Sequence, residues 1–167
     1  MKKLFRQSVT WFVIVYILVS LAALVMFITV PRPFAGLYEP GHGALYVAMN
    51  SLLFLPVFLL AGLVLGRALR MAADRKSLIG AGICAIVLTV PLVVVSIMDD
   101  HSIWMMYTVM NPMYGYTMME FSSTADYLTW ASLLFTAAPP LVFLLGIYLQ
   151  QIVRCYATIE TGGGTGC

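Results

Sequence analysis

Four uncharged apolar runs, at about 9–30, 45–66, 77–98 and 128–150, govern what this chain can fold into. A helix rises about 1.5 Å per residue and the hydrocarbon of a bilayer is about 30 Å thick, so about 20 apolar residues make a span. Each run meets that length. Each is filled on all sides with Val, Leu, Ile and Phe, whereas a water-facing helix keeps a polar face. Barrel strands are excluded by length, because they run about 10 residues and alternate in polarity. The expectation is an all-α fold, an integral membrane four-helix bundle.

Composition agrees. Charged residues make up 10% of the chain, against about 25% in a soluble domain. That is too few to cover a water-facing surface. Hydrophobic residues reach 62% and mean hydropathy is +0.96, which excludes intrinsic disorder. The 167 residues suffice for one small domain. We expect a single membrane domain over 1–155 and a flexible tail over 156–167, where Thr161–Cys167 is low in complexity.

The first run follows a basic start, Lys2, Lys3 and Arg6, as a secretory signal would. A signal core is only about 7–15 residues long. Pro31-Arg32-Pro33, rather than a small-residue cleavage site, closes the run. The expectation is an uncleaved first span.

Lys and Arg set the orientation. Lys2, Lys3, Arg6, Arg67, Arg70, Arg75, Lys76 and Arg154 fall on one side of a four-span chain, and only Arg32 falls on the other. Glu39, Asp99, Asp100, Glu120 and Asp126 lie opposite the basic side. Both N- and C-termini are therefore expected to be cytoplasmic, with the chain multi-pass in a bacterial plasma membrane. The net charge of +2 is small and points to no nucleic-acid partner.

The segment from about 99 to 127 is unusual. From Ser102 to Met119 it carries no charge, is dense in Trp, Tyr and Met, and is broken by Asn111-Pro112 and Gly115. A fifth span there would reverse the charge asymmetry. We expect an outer, aromatic and Met-rich interfacial cap, since Tyr and Trp rings favour the headgroup region.

Chemistry is sparse. Seven of the eleven methionines lie between Met98 and Met119, with His101 nearby. Thioether and imidazole suit Cu(I), but Met also fills irregular gaps, which is the plainer explanation. Asp99, Asp100 and His101, with Glu120, form a weak candidate metal site for zinc or a similar ion. Adjacent charges also simply end a span. No other cofactor is suggested, and a catalytic constellation is absent from the sequence. No Cys-x-x-Cys occurs among Cys84, Cys155 and Cys167, which argues against four-span thiol–quinone oxidoreductases. No cysteine falls on the outer side, so no structural disulfide is expected. Cys155 reads as an inert juxtamembrane thiol or a lipidation site.

No Asp, Glu, Lys or Arg lies inside a span, which disfavours a proton-coupled transporter acting alone. Asn50 and Ser51 form the best polar pair, a possible polar path or an interhelical hydrogen bond. Packing signals are clearer. Gly62 and Gly66 form a Gly-x-x-x-Gly on the second span, and Gly80 and Ala81 lie at similar depth on the third. Small residues let helices approach, so spans two and three are expected to meet there, or that face to dock a partner. Pro139–Pro140 is expected to kink the fourth span.

These features point to a small non-enzymatic subunit, or interaction partner, of a larger membrane assembly. Its partners would be the lipid bilayer and either another membrane protein or a second copy. The alternatives are a small oligomeric transporter or channel component, and an outer-face copper or zinc handling protein.

Overall fold

A computed structural model describes residues 2–29, 43–98 and 130–160. The fold is all-α, with four helices packed together: α1 Lys2–Thr29, α2 Gly43–Ala68, α3 Arg75–Met98 and α4 Trp130–Glu160. Their lengths of 28, 26, 24 and 31 residues correspond to about 36–46 Å of helix. Helix α4 continues well past the expected span end at Gln150 and the expected domain end at residue 155. Among the described residues, two helices are long and apolar enough to cross a membrane: Arg75–Met98, and α4 over Ser132–Ala157. Shorter apolar stretches lie at Ser8–Ala23 and Leu52–Ala68.

The chain direction alternates from helix to helix. Ser8 near the start of α1 touches Ser77 near the start of α3. Gly66 near the end of α2 touches Ile147 and Gln150 of α4. The first turns of α1 and α3, the end of α2, the 69–74 link and the last turns of α4 therefore share one end of the bundle, called here the link end.

Helix α4 is the centre of the bundle. It packs most extensively on α2 and next on α3, while α1 rests more lightly on the other three. Despite their short connection, α2 and α3 make no packing of comparable extent. The expectation that they meet through their small residues does not hold.

The core gathers Phe12 and Val19 of α1, Phe54 and Phe58 of α2, Met71 of the link, and Phe143 and Ile147 of α4. The ring of Phe12 lies 6.1 Å from Phe58 and 5.9 Å from Phe143, both tilted. Tyr16 extends the cluster, 5.8 Å from Phe12 and 6.1 Å from Phe58. Tilted pairs at these spacings satisfy the ring quadrupoles, worth about 0.5–1.5 kcal/mol per pair beyond area burial.

The proline pair of α4 is fully buried, and the helix runs through it without interruption. Each ring removes one backbone donor. Just before the pair, the Thr136 hydroxyl donates to the Ser132 carbonyl at 2.7 Å.

Candidate functional site

Three arrangements among the described residues carry local chemistry: a helix crossing, the joint at the link end, and a groove beside it. The crossing is at Gly62. A Cβ there would collide with the Phe143 carbonyl and come within 3.1 Å of the Gly146 Cα. A Cβ on Gly146 would collide with the Leu59 carbonyl and stand 2.9 Å from the Leu63 nitrogen. Gly66, one turn on, leaves only 3.2 Å between such a carbon and the Ile147 Cα. The Gly-x-x-x-Gly of α2 thus seats on α4. Gly80 and Ala81 are buried on α3. Ala81 faces a small cavity shared with Ser8 and Phe12 of α1 and Pro140 of α4. The sequence reading did not single out Gly146; the signal was a lone glycine within an unbroken apolar run.

The joint at the link end is polar and closely tied. Helix α2 ends in a Schellman motif. The Met71 N–H donates to the Gly66 carbonyl at 3.2 Å, and Arg70 takes the left-handed conformation with φ 51°. Met71 then folds back into the core, where it is buried. The Arg154 guanidinium of α4 also donates to the Gly66 carbonyl. The Ala73 N–H donates to Gln151 Oε1 at 3.1 Å. These contacts satisfy groups that a helix end leaves without partners.

Helix α3 starts from the same link. Asp74 caps it, accepting the Ser77 N–H on Oδ1 at 2.8 Å. That N–H, then the Ser77 hydroxyl, hold the Asp74 carboxyl below its usual value, with a smaller contribution from Lys76. The Ser77 hydroxyl also donates to the Ala72 carbonyl at 3.3 Å, and the Ser8 hydroxyl donates to Ser77 Oγ at 3.4 Å. One serine so connects α1, the link and α3. Next to it lies a cavity of about 10 Å³, about the size that holds a single water.

Between α3 and α4 at this end is an open groove of about 460 Å³. Leu78 of α3 and Leu141, Leu144 and Leu145 of α4 form its walls, and Arg75, Asp74 and Tyr148 stand at its edge.

Within the helices, the polar side chains that the structure describes are mostly satisfied locally. Thr89 and Ser96 each donate to the carbonyl four residues earlier, both at 2.8 Å. Ser20 of α1 differs: its hydroxyl is buried and has no hydrogen-bond partner among the described residues.

Asp99, Asp100, His101 and Glu120 lie outside the described residues, as does the whole expected outer cap. Asn50 and Ser51 lie on α2, and their side chains lie outside the description. Among the described residues no group of three or more His, Cys, Asp or Glu comes together. Cys84 is a free, half-buried thiol on α3, and Cys155 lies on α4.

Comparison with protein-family models, with curated proteins and with solved structures found no match.

Proposed function

We propose that this chain is a four-span protein of the plasma membrane, with both termini cytoplasmic, and that it serves as a non-enzymatic subunit or interaction partner of a larger membrane assembly. The observation that carries the reading is the outward face of the bundle. Val64 of α2, Ile86 and Val87 of α3 and Val153 of α4 are each about 60% exposed, and Leu, Ile and Val dominate the exposed surface of every helix. Monomers in water rarely expose contiguous apolar patches beyond a few hundred Å². Lipid, or a protein embedded in it, is the physically suitable neighbour.

Two further points support it. The basic residues Arg67, Arg70, Arg75, Lys76 and Arg154 cluster at or beside the link end, as the positive-inside bias requires of a cytoplasmic face. The described interior is an aromatic and aliphatic core rather than a polar passage, which favours a packing role over a conducting one.

A photo-crosslinking amino acid placed singly at Val64, Ile86 and Val153, in native membranes, tests the proposal. Discrete protein adducts from one helix face are expected. Adducts with lipid alone at all three positions would contradict it.

A further inference from the structure

We propose that the α3–α4 groove at the link end holds one anionic phospholipid, with an acyl chain against its leucines and the headgroup phosphate on Arg75. The proposal rests on the membrane reading above. The groove is apolar along its length and charged at one end only. Leu78, Leu141 and Leu145 are all substantially exposed along it, with Leu144 half-buried behind them. Its volume of about 460 Å³ lies within the range of about 300–1,000 Å³ found for small-ligand clefts.

The charged end selects the headgroup. Arg75 stands at the edge of the groove and is exposed. Lys76 follows it, and Arg70 and Arg67 lie on the same side of the bundle. The acid at this edge, Asp74, is engaged by the first turn of α3 through the Ser77 N–H. Asp74 keeps its negative charge there, but Arg67, Arg70, Arg75 and Lys76 outnumber it, so the balance at this end is positive. The Tyr148 ring, half exposed at the same edge, is the kind of side chain that sits at headgroup level. Basic pockets between membrane helices on the cytoplasmic side suit anionic headgroups, at about 1 kcal/mol per basic residue. A zwitterionic lipid offers the same phosphate, but its ammonium group would stand among these bases and offset the gain from Arg75. A protein helix would match the apolar walls and leave the Arg75 guanidinium without an anion.

The test uses the full-length protein in detergent, with phosphatidylglycerol or phosphatidylcholine of identical chains added, and bound lipid counted by native mass spectrometry. Phosphatidylglycerol is expected to be retained preferentially, and Arg75→Gln to cut that preference about fivefold. Leu141→Trp with Leu145→Trp, which fill the groove from exposed positions, should lower retention of phosphatidylglycerol with helix content unchanged. Equal retention of the two lipids by the unaltered protein would overturn the proposal. So would a preference that survives Arg75→Gln, or a retention that survives the paired tryptophans. Washing membranes at alkaline pH separates this failure from that of the membrane reading: a chain released by the wash overturns both, whereas a retained chain without lipid preference overturns only the site.

Discussion

Gly62 of α2 and Gly146 of α4 meet backbone against backbone: a Cβ on Gly146 would lie 3.0 Å from the Gly62 Cα and strike the Leu59 carbonyl. In lipid, helices gain nothing from hiding apolar surface and associate through close packing, which small residues permit. The contact thus accounts for α4 packing most closely on α2. Gly146→Ala and Gly62→Ala should each force the helices apart and cost about 1–3 kcal/mol. Gly82→Ala serves as the control, since nothing lies within 4 Å of its added carbon. Unfolding in mixed micelles checks this. Equal stability of the Gly146 and Gly82 variants would refute the crossing.

Asp74 should make stability depend on acid. Its folded carboxyl is held low, chiefly by the Ser77 N–H. A group whose folded pKa lies below its unfolded value stabilises the fold above the unfolded pKa. That contribution disappears as pH falls through the folded pKa. Asp74→Ala should therefore cost about 1 kcal/mol near neutral pH, and the gap from the unaltered protein should close in strong acid. Titration of unfolding free energy against pH, for both proteins, measures it. A pH-independent gap would mean that the charge on Asp74 has no part.

Arg70 occupies a left-handed position, which costs an L-residue about 1–2 kcal/mol and costs glycine much less. Arg70→Gly should stabilise the end of α2 by about 0.5–1 kcal/mol, after the greater chain entropy of glycine is counted. Slower hydrogen exchange at Leu69 and Met71, whose N–H groups donate to Leu65 and Gly66, is the expected sign. Faster exchange there would contradict it.

Ser20 buries a hydroxyl without a partner among the described residues. An unsatisfied buried donor costs about 1–3 kcal/mol, so Ser20→Ala should be neutral or stabilising. Thr136→Val, which removes the bond to the Ser132 carbonyl, should not be stabilising. Comparative unfolding of the two variants decides the point, and a loss of stability in Ser20→Ala would show that the hydroxyl has a partner after all.

The helices were legible because each apolar run is long and uncharged, and no other pattern in the chain imitates that. Which helix meets which was not. Gly62 and Gly66 announce a close approach but carry no address, and Gly80 and Ala81 at similar depth were an equally good match by composition. The partner was Gly146, set by packing across the whole bundle. The Asp74 cap was available as an acid three residues before Ser77, in a segment read only for its charge. Arg70 gave no warning, since left-handed residues are usually glycine. The candidates at Asp99, Asp100, His101 and Glu120 rest on sequence alone, because they lie outside the described residues.

The central claim is that this bundle works within a larger assembly. The most direct measurement is the mass of the particle extracted gently from its native membrane, with every protein in it identified. The account predicts a stoichiometric complex with at least one other membrane protein, or a defined set of copies of this chain. A lone monomer of 18.4 kDa carrying only lipid and detergent would contradict it.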